Sequence, residues 1–213
     1  MRRVSGRADP GADPAPACAQ AAAAADRQEN GARGPTKVEL AYREANAIAL
    51  FGDAGRAWQA LWRAREAAEA LPANCGSPRS VWSFPTGRQA IFELSVAIHT
   101  GDPDSALRAA AMAYAGWASG EPKVTANHAQ IQAGSSIAYL MKGSVEEAAY
   151  HVAPVLELPS ELRISTVTGY LRKLESLLTQ PRFANSGTAA SLAVQIRDFI
   201  SSPPSVMDLA EAR

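Results

Sequence analysis

Histidine, cysteine, serine and the acids are the side chains from which metal or acid–base chemistry would have to be assembled. The chain has three histidines, His99, His128 and His151, and no two stand four apart, so no helix face carries the His-x-x-x-His spacing of a zinc site. No metal and no cofactor is expected. Glu147 and His151 are four apart and can meet on one helix face, where such a pair is ordinarily a surface contact. Ser135, Ser136 and Cys75 are nucleophile types, yet none stands in a strand-turn-helix context or beside a residue that reads as its base. The run Gly52 to Gly55 lacks the Gly-Lys-Ser/Thr ending that grips a phosphate. With no nucleophile and base in register, the expectation is a chain without catalytic residues, a binding protein and not an enzyme.

Binding residues are meaningful only on the elements that present them. The 213 residues carry 21 basic and 21 acidic side chains, a formal charge of zero that gives no long-range pull towards nucleic acid or an anionic membrane. Two cysteines, Cys18 and Cys75, cannot build a disulfide framework or a zinc-ribbon ligand set, and a reducing cytoplasm is the simplest setting. Charged residues recur within every apolar segment, so no membrane span is expected. From Met1 to Pro35 the residues are mainly Ala, Gly, Pro, Arg and Asp, too poor in large side chains to offset the entropy of ordering a backbone. Residues 1–35 are expected to be a disordered tail, and Asp9, Pro10, Asp13, Pro14 and Pro16 break any signal-peptide core. A second tail, 202–213, follows Ser202-Pro203-Pro204.

Between them, residues 36–201 read as helix after helix. Thr36 with Glu39, Thr86 with Gln89 and Ser144 with Glu147 have capping-box spacing, and Asp102-Pro103 pairs an N-cap residue with proline at the first helical position. Three short turns repeat: Gly52-Asp53-x-x-x-Ala57, Gly101-Asp102-x-x-x-Ala106 and Gly143-Ser144-x-x-x-Ala148. The glycine suits the left-handed backbone that ends one helix, the Asp or Ser caps the next, and the alanine lets the two approach. Twelve residues after the glycines stand Ala64, Ala113 and Val155, again small and apolar. The glycines are 49 and 42 residues apart, longer than the roughly 34 of a standard tetratricopeptide unit, and loops such as Asn74 to Pro78 and Ser119 to Pro122 take up the excess. A fourth pair lacks the turn: one helix over about Glu161 to Thr179 with a stripe of Leu171, Leu174, Leu177 and Leu178, and one over about Ser186 to Ile200 with Leu192, Ile196, Phe199 and Ile200. Trp58 and Trp62 share a helix face and are expected between helix pairs, while Trp82 falls in a loop.

The Gly-Asp-x-x-x-Ala turns, with Tyr139 before Gly143 and Leu158-Pro159 closing the third unit, resemble the tetratricopeptide repeat. The fold expected is all-α, a tetratricopeptide-like α-solenoid of about four antiparallel helix pairs with a disordered N-terminal tail. Phe84-Pro85-Thr86-Gly87-Arg88-Gln89-Ala90, Thr100-Gly101-Asp102-Pro103 and Thr166-Val167-Thr168-Gly169-Tyr170-Leu171 are similar to the C-terminal half of actinobacterial transcriptional regulators of the XRE helix-turn-helix type. That resemblance implies a module that senses a peptide, protein or small effector, with homodimerisation among its roles. Before Thr36 there is no patterning for a helix-turn-helix, and five arginines against four acids between Met1 and Pro35 offer little grip on DNA, so direct DNA binding is not expected. A scaffold without a ligand and a DNA-binding regulator are the other readings. If the pairs stack as tetratricopeptides do, the first helix of each lines a concave face. In phase with the turn glycines that face holds Tyr42, Asn46, Arg88, Ser95, His99, Gln130 and Ile137.

Overall fold

The computed structural model describes residues 34–71 and 84–201. Cys18, Cys75, Trp82, the loop from Asn74 to Pro78 and the two tails (but for residues 34 and 35) lie outside them. Within the described residues the chain is helical and contains no strand. The helices are α1 (Pro35–Leu50), α2 (Ala54–Glu69), α3 (Thr86–Thr100), α4 (Pro103–Ala118), α5 (Thr125–Met141), α6 (Val145–Leu156), α7 (Ser165–Leu178) and α8 (Gly187–Ser201). Single 3-10 turns at Ser160–Leu162 and Pro181–Phe183 flank α7.

Three turns set the pairing. Gly52, Gly101 and Gly143 have φ of 85°, 81° and 89°, a left-handed backbone that side-chain-bearing residues rarely adopt. Asp53 and Asp102 then cap α2 and α4 by accepting the backbone N–H of Arg56 and Ser105. Ala57, Ala106 and Ala148, and twelve residues beyond the glycines Ala64, Ala113 and Val155, are fully buried where the paired helices meet. Each helix packs on its turn partner, α1 on α2, α3 on α4, α5 on α6 and α7 on α8. The odd-numbered helices also pack in series, α1 on α3, α3 on α5 and α5 on α7. That second set of contacts places one helix of every pair in a continuous row.

The capping boxes did not form as the spacing suggested. The N-cap of α1 is Gly34, and Glu39 is drawn instead to Arg43 and Arg88. Thr86 is the first residue of α3 and not its cap; Glu121, from the α4–α5 loop, reaches back to accept the N–H groups of Thr86 and Gly87 at 3.0 and 2.9 Å. Ser144 occupies the N-cap of α6 without a capping hydrogen bond from its side chain. A tertiary acceptor with two oxygens outcompetes a local hydroxyl when the fold brings it to the helix end.

Two apolar clusters fill the interior, one over α1, α2, Phe84 and the Val96 side of α3, the other from α3 to α8, with Trp58 packed against both. Trp62, expected beside Trp58 in the interior, is 60 % exposed. The stripes of the fourth pair are buried at Leu171, Leu174, Leu178, Leu192, Ile196 and Phe199. Gly134 makes the closest helix approach: a Cβ there would lie 2.2 Å from Leu94 Cδ2, so the α3–α5 distance depends on its bare backbone. Ser135 and Ser136, the nucleophile types in this helix, are buried with their hydroxyls donating to the carbonyls of Ile131 and Ala148.

Candidate functional site

The row of odd-numbered helices borders a groove of about 800 Å³. From α1 come Arg43, Asn46 and Leu50; from α3, Arg88, Ile91, Phe92, Ser95 and His99. Val124, Asn127 and Gln130 enter from the start of α5, and Thr166, Gly169, Tyr170 and Lys173 from α7. Such a volume holds a small organic molecule or a few residues of extended chain. Among the described residues, no group of three or more His, Cys, Asp or Glu side chains could hold a metal ion, and no helix is long and apolar enough to cross a membrane.

Five of the residues picked out by counting back from the turn glycines meet in this groove: Asn46, Arg88, Ser95, His99 and Gln130. Tyr42 and Ile137 do not. Ile137 is fully buried in the larger apolar cluster. Tyr42 is 1 % exposed and its ring packs on Phe84 and Phe92, with centroids 5.3 and 6.2 Å away. Its hydroxyl stands 3.3 Å from Glu93 Oε1 and 3.2 Å from Gln89 Oε1, sharing one proton between two acceptors. Burial, then the Glu93 carboxylate, pushes the Tyr42 phenol well above its ordinary value, so it stays a neutral donor. Glu93 is itself buried and is gripped by Arg65 of α2, Nε to Oε1 at 2.9 Å and a terminal nitrogen to Oε2 at 2.5 Å. This Tyr42–Glu93–Arg65 network ties three helices together under the groove, and no local pattern announces it, because its members are 28 and 51 residues apart.

The groove's charges are all of one sign. Arg43, Arg88 and Lys173 line it, and no Asp or Glu does. Glu39 Oε1 lies 2.7 Å from a terminal nitrogen of both Arg43 and Arg88, so two guanidinium groups share one carboxylate and a net positive charge remains at the groove's rim. The Arg43 guanidinium also lies 5.7 Å from the centre of the Phe92 ring. Lys173 is partly buried and has no hydrogen bond or ion pair to any described residue; that loss of hydration lowers its pKa. The Nδ1–H of His99 donates to the Ser95 carbonyl at 2.8 Å, which in the neutral ring leaves Nε2 as an acceptor. Burial lowers the His99 pKa, the hydrogen bond to Ser95 opposes that, and Lys173 adds to it, so the ring is uncharged at neutral pH. Among the described residues, one buried side-chain polar atom has no partner: Oδ1 of Asn46.

Arg43, Asn127, Tyr170 and Lys173 escaped sequence reasoning. For α7 the cause is concrete, since the fourth pair has no turn glycine from which a register could be counted. The signal that was present is the amphipathic frame: Thr166, Tyr170 and Lys173 share one face of α7, about a quarter turn round from the stripe of Leu171, Leu174 and Leu178.

No protein-family model, curated protein or solved structure matches the chain at a significant level.

Proposed function

We propose that the chain is a tetratricopeptide-like helical-repeat module without catalytic activity, whose concave groove binds a ligand, and that it serves as the effector-sensing half of a transcriptional regulator of the XRE type. The observation that carries this reading is the single groove to which the first helix of all four pairs contributes. Helical-repeat proteins bind on such a face because adjacent units present equivalent positions side by side. The orphaned Asn46 Oδ1 supports the same reading, since a buried acceptor without a donor is costly until something supplies one.

Thermal unfolding of the full chain with size-fractionated cell extract tests it. A ligand selective for the folded state raises the midpoint by mass action, and the effect should vanish in Ser95→Trp, which fills the groove. If no fraction raises the midpoint, or if Ser95→Trp responds as the native chain does, the sensing role falls.

Self-association is the second element of the proposal. Leu40 and Trp62 are each about 60 % exposed and Phe51 is 90 % exposed, all on the first helix pair and its turn. Large apolar side chains exposed on one helix pair suit a contact with a second copy or an adjoining domain. Sedimentation equilibrium of Phe51→Ser beside the native chain reads this directly, with a shift towards monomer expected in the variant.

A further inference from the structure

We infer that the groove takes a small organic anion that also carries a hydrogen-bond donor, its negative group at Lys173 and its donor at Asn46 Oδ1. This rests on the groove being a ligand site and adds the chemistry of the occupant.

Four independent features point the same way. No Asp or Glu lines the groove, and burial raises the pKa of the Tyr170 phenol and so favours its neutral form, so no carboxylate in the wall repels an anion. Lys173 brings a positive charge into a partly buried position and is met there by no carboxylate, hydroxyl or carbonyl of the described residues. The helix ends add to it. Val124 and Asn127 belong to the N-terminus of α5 and Thr166 to that of α7, and the N-cap residues of these helices, Val124 and Ile164, have no side-chain acceptor to satisfy the first N–H groups. Two positive helix ends and an ammonium therefore lie on the α5 and α7 side of the groove, the ammonium about two turns along α7 from its start. On the other wall, Asn46 Oδ1 is enclosed and unpartnered, which asks for an N–H or O–H and disfavours a second anionic group there.

Between the two walls the surface is apolar and aromatic, with Leu50, Ile91, Phe92 and the Tyr170 ring. An occupant with a hydrocarbon or aromatic body spans them, and the volume of about 800 Å³ is that of a metabolite-sized site and not of a docking face for a folded protein. Arg43 and Arg88 act differently from Lys173. Both are oriented by their shared carboxylate, Glu39, and its single charge leaves one positive charge at the rim, so they draw an anion towards the groove while the unpaired lysine is left to meet it.

The test compares three probes of one shape on the full chain: 2-naphthoate, 2-naphthamide and 2-naphthylmethylamine, followed by amide chemical-shift perturbation up to millimolar concentration. We expect 2-naphthoate to shift groove resonances on α3, α5 and α7 and to bind at least about tenfold tighter than the amide, about 1.4 kcal/mol. That advantage should disappear in Lys173→Met and return in Lys173→Arg. Asn46→Leu should weaken 2-naphthamide, whose N–H can serve Oδ1, more than 2-naphthoate. Equal binding of carboxylate, amide and amine in the native chain would overturn the inference while leaving the groove a ligand site. Survival of the carboxylate's advantage in Lys173→Met would overturn it as well. If none of the three shifts a groove resonance, the ligand site itself falls with the inference.

Discussion

Glu93 shows how a single residue can be decided by tertiary contact. A carboxylate in the middle of α3, where Leu94, Val96, Ala97 and Ile98 are all buried, would be expelled were it not for the Arg65 guanidinium and the Tyr42 hydroxyl. Removing one member of such a network is expensive because it strands the charge, whereas removing both charges together is close to neutral. Arg65→Met should therefore lower stability by about 2 kcal/mol, less than the ~3–5 typical of an enclosed pair, because the arginine side chain is 44 % exposed. Arg65→Met combined with Glu93→Met should recover most of that loss, and Tyr42→Phe alone should cost about 1 kcal/mol. Urea unfolding of the four chains reads the set; equal destabilisation of the single and double arginine variants would show that the network does not hold the helices. Tyr42 was legible as a residue of the first helix but not as a buried donor, since its partners are supplied by two other helices.

At the scale of helices, spacing and close approach divide the glycines into kinds. Gly134 sits inside α5 against Leu94 and Ile98, where a methyl group has no room. Gly134→Ala gains helix propensity of about 1 kcal/mol and pays overpacking of about 1–3, for a net loss near 1 kcal/mol. Gly169 lies inside α7 with nothing within 4 Å of its would-be Cβ and an ordinary backbone, so Gly169→Ala should stabilise the chain by about 0.5–1 kcal/mol. Thermal or urea unfolding of the two variants gives opposite signs if helix packing in the groove's floor is as described. The helices themselves were visible in the sequence wherever a glycine turn and an apolar stripe coincided. The observed α7 begins at Ser165 and not near Glu161, because Pro159 to Leu162 is used for a 3-10 turn. The local capping boxes misled for a related reason: whether Thr86 or Glu121 satisfies the start of α3 depends on where the α4–α5 loop lies.

Over the whole molecule the histidines act in concert. Burial lowers the pKa of His99, His128 and His151 from the ordinary 6.5, so all three are easier to protonate in the unfolded chain. The unfolded state then binds more protons below about pH 6.5, and stability rises with pH through that region. Lowering the pH from 8 should leave the urea midpoint flat until about 6.5 and reduce it progressively towards pH 5, above the range where carboxylates titrate. His99→Gln should reduce the slope between pH 6.5 and 5; an unchanged slope would remove His99 from the effect. A bound anion at Lys173 would favour protonation of the neighbouring His99, and so would flatten the same slope.

The sequence by itself determined the helical class, the four pairings, three of them through glycine turns, and five of the residues that line the groove. It could do so because a left-handed glycine, a cap and an alanine at fixed spacing leave the backbone one inexpensive way to turn, and because helices related by the same turn present the same phase. Which phase faces the groove was a matter for the tertiary structure. Tyr42 and Ile137 occupy positions that look equivalent to Ile91 and Asn46, counted from their glycines, yet they are buried while the other two line the groove. The difference arises because each first helix meets a different set of neighbours along the row. The meeting of Lys173 and Asn46 in one groove, the partners of Glu93 and the capping of α3 by Glu121 were decided the same way, by contacts between segments too far apart in sequence for any local pattern to encode.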